Sequence, residues 1–294
     1  MTIKKCHRCN EKETPINPIN RSSKLCINCT LQASDAILVC AGAGMSVDSG
    51  LPTYRDEEGF WNDYPPYREL RKDYQTMASP YGFTSDPNFA WGFFGHQYEL
   101  YKNIQPHIGY YLLLYFLHSK RNYFVVTTNV DGHFIKSGYT KSRLHEAHGS
   151  ILELQCTLPC QRSSWDVDKN MSIKIDTLSM TAQDPLPHCP NCHSVARPNI
   201  FMFGDTDESY IWEERQKSAD SFMRWKQNNL DKKVVILEIG VGAEGLKKHV
   251  QKYAREFKNA TLIRINPEVD NIYKVDFHIN KGVLNALKNL LYEL

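Results

Sequence analysis

Residues 36–50, AILVCAGAGMSVDSG, join a short apolar run to a glycine-rich turn. The run is continuous rather than alternating, which is typical of a strand buried on both faces. Gly42 and Gly44 follow it, and glycines in this place let backbone amides approach a pyrophosphate at the start of a helix. The third glycine of the usual fingerprint is replaced by Val47, so a plain tight turn between strand and helix is the alternative.

Four more short apolar runs predict further strands, at residues 123–127, 200–203, 234–239 and 261–265. Helical patterns lie between and after them. The clearest is at 283–291, where the apolar residues fall on one helical face. Apolar strands that alternate with helices predict a parallel sheet covered on both sides, which is a Rossmann-like α/β core.

The composition excludes several classes of protein. The chain has 294 residues, 41% hydrophobic and 23% charged, with a net charge of +2, as in ordinary globular proteins. This charge predicts no large basic surface for nucleic acid. No run approaches the roughly 18 apolar residues that cross a bilayer, and the first residues lack the apolar core of a signal peptide. We therefore predict a cytoplasmic protein, with the nucleus as the alternative, and no membrane partner.

Two stretches interrupt the strand–helix pattern. Residues 56–105 are rich in aromatic residues and proline and predict a helical insertion with loops. Residues 152–197 hold two cysteine pairs and few apolar residues, as in a small metal-stapled module. Residues 1–32 precede the first strand and carry six basic against two acidic side chains. We predict an N-terminal module at 1–32 and a main domain at 33–294.

Eight of the nine cysteines fall into four close pairs. In a reducing compartment such pairs favour zinc over disulfides. Cys156, Cys160, Cys189 and Cys192 predict a structural site of four thiolates that leaves no position open for water. Cys40 is left over and is predicted to be a small buried side chain.

The N-terminal pairs have the spacing of a zinc ribbon. Cys6 and Cys9 are separated from Cys26 and Cys29 by 16 residues. We therefore predict two zinc ions per chain. A ribbon with a net charge of +4 can contact nucleic acid or a protein partner, or serve only as a structural cap.

The stretch 41–55, AGAGMSVDSGLPTYR, resembles the signature of the sirtuins, which are NAD-dependent protein deacylases. The resemblance continues in the family's order and spans roughly residues 35–280. It is carried by TTNVDG (127–132), HGS (148–150), the cysteine pairs of the inserted module, RPNIFMFGD (197–205), GVG (240–242) and INPE (265–268).

The resemblance implies a reaction and a set of roles. NAD is the co-substrate, nicotinamide leaves, and the acyl group of a protein lysine moves to ADP-ribose. His148 matches the family's general base, while Asn129 and Asp131 match the residues that hold the ribose and the nicotinamide amide. The positions that match the NAD site are Ala41, Gly42, Ala43, Gly44, Ser46, Gly50, Pro52, Tyr54, Arg55, Thr128, Asn129, Val130, Asp131, His148, Gly240, Val241, Gly242, Asn266, Pro267, Glu268, Asp276 and Gly282.

The chain departs from the family at two of these places. Thr128 stands where the family commonly has glutamine, which removes an amide beside the ribose. Gly240, Val241 and Gly242 replace the usual Gly-Thr-Ser, so two hydroxyl groups are missing.

The resemblance also implies where the acylated peptide binds. Phe203 and Gly204 match the loop that pairs with the substrate backbone as an added strand. The desuccinylases of the family bind an acidic acyl tail with a tyrosine and an arginine three residues apart, where this chain has Phe94 and Gln97. We therefore predict a preference for neutral acyl groups, most simply acetyl.

Two other functions fit the same motifs. An NAD glycohydrolase or a mono-ADP-ribosyltransferase would pass the activated ribose to water or to a protein side chain. A sensor of NAD or ADP-ribose would bind without turnover, but a sensor needs no general base, and His148, Asn129 and Asp131 together argue against it.

Overall fold

The computed structural model describes residues 5–15, 17–20, 23–53, 60–62, 64–242, 244–268 and 273–291. The strands are β1 (Ala36–Ala41), β2 (Tyr123–Thr127), β3 (Leu144–Glu146), β4 (Gly149–Cys156), β5 (Trp165–Asp166), β6 (Ile175–Asp176), β7 (Thr181–Ala182), β8 (Ala196–Ile200), β9 (Lys233–Ile239), β10 (Asn259–Ile265) and β11 (Phe277–Ile279). The α-helices are Ile27–Ala33, Pro65–Glu69, Tyr74–Met77, Gly82–Ser85, Pro87–Asn103, Ile108–Lys120, His133–Lys136, Glu213–Gln227, Glu244–Glu256 and Val283–Leu291.

Six strands form one parallel sheet in the order β11-β10-β9-β1-β2-β3. The chain runs from β1 outward to β3 and then returns to the other side of β1 with β9. The direction of winding therefore reverses between β1 and β9. In open α/β sheets, ligands bind outside the carboxyl ends of the strands at this reversal.

Both faces of the sheet are buried, as the continuous apolar strands predicted. Successive residues of β1 alternate between two hydrophobic clusters, with Ile37 and Val39 in one and Leu38 and Cys40 in the other. The first cluster includes the helices Ile108–Lys120 and Val283–Leu291, and the second includes residues of Glu213–Gln227 and Glu244–Glu256. The predicted Rossmann-like core is confirmed.

The strand predicted at 200–203 is wrong, because β8 spans Ala196–Ile200 and ends where the prediction began. Its polar residues are buried instead of exposed. Arg197 forms an ion pair with Asp205 at 2.6 Å, and Asn199 donates to the Gln155 side chain. A strand whose three central buried residues are Arg, Pro and Asn has no apolar run to reveal it.

The two interrupting stretches differ in structure. Described residues between 60 and 103 are helical with loops, and they form a second core with the inserted small sheets. The module at 152–197 contains antiparallel pairs, β4 with β5 and β8, and β6 with β7. None of the helices within the described ranges combines the length and hydropathy that a bilayer-spanning segment needs.

The N-terminal cysteines connect directly to the main core. Cys29 lies in the helix Ile27–Ala33, and Ile27 and Leu31 of this helix are fully buried in the cluster beneath β1. The helix packs against β9. The N-terminal cysteine cluster is therefore anchored to the core by apolar contacts.

Candidate active site

Two glycine-containing loops meet at the reversal of the sheet. Gly44 N donates to the Gly240 carbonyl at 2.9 Å, and a Cβ on Gly44 would lie 2.7 Å from Gly240 Cα. Gly240 itself has φ +58, in the left-handed region that favours glycine. These glycines are needed first for the contact between the loops, which the sequence did not predict. The helix expected after Gly44 is replaced by two 3-10 turns, Ala43–Met45 and Val47–Ser49, so that expectation was wrong.

A buried network holds the polar residues that follow β1 and β2. Ser46 Oγ donates to one Asp131 carboxylate oxygen at 2.5 Å and accepts from Asn129 Nδ2 at 3.3 Å. Since the single Ser46 proton is used, the Tyr110 hydroxyl, 2.8 Å away, donates to Ser46. His133 N donates to the other Asp131 oxygen. These bonds fix the Asp131 carboxylate and the Asn129 amide.

One cavity of about 570 Å³ opens beside this network and collects sixteen of the predicted site residues. They are Gly42, Ala43, Gly44, Ser46, Pro52, Phe94, Gln97, Thr128, Asn129, Val130, Asp131, His148, Phe203, Gly240, Gly242 and Glu268. Elements far apart in sequence thus deliver the residues predicted for NAD and for the acylated peptide to one place.

Other predicted residues do not line the cavity. Val241 is buried in the apolar core, and Asn266 donates to the Val241 carbonyl and so joins two loops. Asp276 accepts from Leu262 N and links β10 to the segment before β11. Ala41, Gly50, Gly204, Pro267 and Gly282 also lie outside the lining. Tyr54 and Arg55 fall outside the described residues.

Nine residues line the cavity that were not predicted from the sequence: Leu51, Thr53, Tyr74, Ala78, Tyr101, Ile200, Phe201, Met202 and Lys247. Phe201 and Met202 lie inside the quoted motif 197–205 and could have been named from it. Tyr101 lies one helical turn after Gln97, so helical spacing could have found it. Tyr74, Ala78 and Lys247 carry no signal in sequence, because only the packing of the helical insertion and the last helices brings them in.

His148 lies in the link between β3 of the six-stranded sheet and β4 of the three-stranded sheet. The Phe201 amide donates to its carbonyl at 2.9 Å, which ties it to the end of β8. Its side chain is exposed within the cavity, but protein atoms crowd around it. This partial desolvation, followed by the Arg215 guanidinium, lowers the pKa of His148 below its usual 6.5, with His249 adding to the effect and the Thr128 backbone opposing it. The imidazole is therefore neutral near pH 7 and able to accept a proton.

Arg215 is enclosed by aromatic rings. Its guanidinium carbon lies 4.4 Å from the centroid of Trp212 and 5.0 Å from that of Phe201. Burial lowers the pKa of Arg215, but the group stays charged. His145 forms a hydrogen bond with Ser218 through Nδ1 at 2.8 Å and does not line this cavity.

Each cysteine quartet forms a compact cluster. The four sulfur atoms of each lie within 4.8 Å of one another, and no cysteine is in a disulfide. Cys156 and Cys192 are 3.5 Å apart, and Cys9 and Cys26 are 3.8 Å apart. Four thiolates at about 2.3 Å from one zinc ion lie about 3.8 Å from each other. Both clusters therefore fit a tetrahedral metal ion.

Comparison with known proteins gives the family. The sequence model described as "Sir2 family" matches residues 42–224. The chain is 30% identical over 200 residues to an "NAD-dependent protein deacylase 1" of Caldanaerobacter subterraneus subsp. tengcongensis, covering 66% of this chain and 72% of that protein. It is 26% identical over 261 residues to an "NAD-dependent protein deacylase" of Leptospira interrogans serogroup Icterohaemorrhagiae serovar copenhageni, covering 88% and 92%.

A solved structure shares the fold. The crystal structure of a Sir2 homologue–NAD complex aligns with a TM-score of 0.69 at 23% identity, covering 91% of this chain and 92% of the other. The matched residues 42–224 include the first glycine loop, Asn129, Asp131, His148 and the second cysteine quartet. The chain belongs to the Sir2 family.

Proposed function

We propose that the chain is an NAD-dependent protein-lysine deacylase that acts on neutral acyl groups, acetyl among them. One observation carries the proposal: His148, Asn129 and Asp131 share a cavity with both glycine loops and with Phe94, Gln97 and Phe203. A site for NAD alone would not need Phe94, Gln97 and Phe203, which are the residues predicted for the acylated peptide. The two relatives described above are themselves named NAD-dependent protein deacylases.

The residues present fit NAD as the co-substrate. Glycines of both loops line the cavity at the carboxyl ends of β1 and β9, where a pyrophosphate can approach the backbone. NAD, when bound, supplies a ribose carbon that accepts the acyl oxygen and a nicotinamide that leaves. Asn129 and Asp131 would hold the nicotinamide end, since both are buried and held by Ser46.

His148 would serve as the general base. It opens into the cavity that the NAD-binding residues line, and its lowered pKa keeps it neutral near pH 7. It would take a proton from a ribose hydroxyl, which makes that oxygen a better nucleophile toward the acyl carbon. The Thr128 amide donates to the Ala41 carbonyl at 3.3 Å, and its side chain is a hydroxyl, so Thr128 adds no side-chain amide to the ribose site.

Zinc would occupy both cysteine quartets. Neither quartet lines the cavity, and each offers four sulfur ligands and no open position, so the ions would stabilise the fold and not take part in the reaction. For the N-terminal ribbon, contact with a protein partner or with nucleic acid are both consistent with its charge.

Product analysis tests the proposed reaction. The protein is incubated with NAD and an acetyl-lysine peptide, and the products are identified by mass. O-acetyl-ADP-ribose together with free nicotinamide is expected. ADP-ribose formed without any need for the peptide would instead indicate an NAD glycohydrolase, ADP-ribose attached to protein would indicate a transferase, and unchanged NAD would indicate a sensor.

A further inference from the structure

Gln97 is a nearly buried side chain at the wall of the cavity. It lies on the helix Pro87–Asn103, lines the cavity and is only 3% exposed. Its side chain makes no hydrogen bond to any residue of the described ranges. An amide can donate two hydrogen bonds and accept two, so a ligand that displaces water from it must offer a partner or leave it unpaired at a cost.

The neighbouring polar side chains of the same helix are paired. Asn88 donates to the Ala182 carbonyl at 2.8 Å, Trp91 donates to the Ala196 carbonyl at 2.8 Å, and Tyr98 donates to the Met171 carbonyl at 3.3 Å. These bonds dock the helix onto the inserted module. Gln97 faces the cavity instead, so a role in docking the helix does not explain its amide.

The side chains around the cavity near this helix are mostly apolar or aromatic. Phe94 and Tyr101 lie one turn before and one turn after Gln97, and all three line the cavity. Leu51 and Met202 line it as well. A single uncharged amide in such surroundings is suited to one hydrogen bond with an uncharged ligand group.

We infer that Gln97 selects lysine acyl groups that carry a hydrogen-bonding oxygen but no charge, such as a short hydroxyacyl chain, over plain hydrocarbon chains of the same length. This inference rests on the proposed function, because it names the acyl class that the deacylase takes. A hydroxyl group can both donate to and accept from the amide. A hydrocarbon chain of equal length would exclude water from the amide and give nothing in return. Acetyl is shorter and leaves room for a water molecule beside Gln97, so acetyl also remains a substrate.

Three peptides test the inference. They share one sequence and carry acetyl, butyryl or 3-hydroxybutyryl on the same lysine, with the two enantiomers of the last assayed separately. We expect kcat/KM for one 3-hydroxybutyryl enantiomer to exceed that for butyryl by about tenfold, the usual scale for leaving one buried polar group unpaired. Gln97→Met keeps the length of the side chain and removes its hydrogen-bonding atoms. The ratio of kcat/KM for 3-hydroxybutyryl to kcat/KM for butyryl should therefore fall to one or below.

Gln216→Met is the matched control. Gln216 lies on an exposed face of the helix Glu213–Gln227 and bonds Asp220, outside the cavity. The ratio of hydroxybutyryl to butyryl kcat/KM in Gln216→Met should equal that of the wild type. The inference would be overturned, with the proposed function intact, if the wild-type kcat/KM for the butyryl peptide equalled or exceeded that for both 3-hydroxybutyryl enantiomers. An unchanged ratio of hydroxybutyryl to butyryl kcat/KM in Gln97→Met would overturn it as well. Failure to remove any of the acyl groups would overturn the proposed function together with it. The ratio of hydroxybutyryl to butyryl kcat/KM in the wild type tests the preference for hydroxyacyl groups even if Gln97→Met does not fold.

Discussion

The Gly44 amide donates to the Gly240 carbonyl across 2.9 Å, and this bond joins the loops that follow β1 and β9. The two loops touch through backbone alone. A Cβ on Gly44 would meet Gly240 Cα and the Gly240 carbonyl oxygen, both at 2.7 Å. The contact lies at the reversal of the sheet, where the cavity opens, so the shape of the candidate NAD site depends on it.

Gly44→Ala should therefore separate the two loops. We expect a loss of about 1–3 kcal/mol in the free energy of unfolding, the scale of overpacking a tight contact, and a weaker affinity for NAD. Denaturant unfolding and NAD titration measure these effects. Gly245→Ala is the control, because no atom lies within 4 Å of its added Cβ and alanine favours the helix Glu244–Glu256. Equal behaviour of the two variants would refute the steric role of Gly44.

His148→Ala should lower the rate of deacylation at least about 100-fold, the usual contribution of a general base. NAD binding should change little, because the imidazole acts on a hydroxyl and not on the phosphates. Steady-state kinetics and NAD titration separate the two effects. His145→Gln keeps a hydrogen-bonding group toward Ser218 and should retain most activity. Near-normal turnover of His148→Ala would remove His148 from the reaction.

The activity should persist to unusually low pH for a histidine base. His148 acts in its neutral form, which predominates above its pKa, and partial desolvation and the Arg215 guanidinium lower that pKa below 6.5. Activity is then lost only as the pH falls below 6.5 and through the shifted pKa. Arg215→Gln removes the neighbouring cation, so the acid limb of the profile of kcat/KM against pH should move to higher pH. Arg215→Lys keeps the charge and should leave the limb nearer its original place. A limb that stays fixed in both variants would show that Arg215 does not act on His148.

Metal analysis of the purified protein should find two zinc ions per chain. Cys9→Ser and Cys160→Ser should each lose one ion, because each removes one ligand from a different quartet. We expect Cys160→Ser to abolish activity, since β4 and β8 connect its module to His148 and metal binding contributes to folding. Activity should survive better in Cys9→Ser, whose quartet lies outside the cavity. One ion or none in the wild type would contradict the ribbon assignment.

The strands that could be predicted are those whose burial on both faces leaves a continuous apolar run. β1, β2, β9 and β10 are of this kind, and the predicted bounds of β2, β9 and β10 differ from the observed ones by at most two residues. β3 and β11 have three residues each and include His145 and His278, so no run marks them. The polar residues of β8 are buried because Arg197 forms an ion pair and Asn199 forms a side-chain hydrogen bond. The periodicity of the sequence cannot reveal such burial.

The candidate site was predictable where a motif lies on the loops after strands. Asn129, Asp131 and His148 were named from family motifs on such loops, and they share one cavity. Tertiary packing decided the rest. Val241 faces the core while its neighbours Gly240 and Gly242 face the cavity, and a motif treats all three alike. Phe94 and Gln97 also came from the family resemblance, and no motif marks them, because a helix with aromatic residues on several faces does not reveal which face is open.

The final prediction concerns acidic acyl groups. A succinyl chain on lysine would place a carboxylate in the cavity that Phe94 and Gln97 line, and neither side chain carries a positive charge. Within the described ranges, Lys247 is the one lysine or arginine in the lining, and it belongs to the helix that follows the second glycine loop. An unpaired buried carboxylate costs about 3–5 kcal/mol, so kcat/KM for a succinyl peptide should fall at least about 100-fold below that for its acetyl counterpart. Gln97→Arg supplies a guanidinium that can pair with the carboxylate, and it should narrow this gap, whereas Gln97→Met should not. A wild-type preference for succinyl would show that another cation serves the acyl end of the cavity, and the assignment of Phe94 and Gln97 to that end would then be wrong.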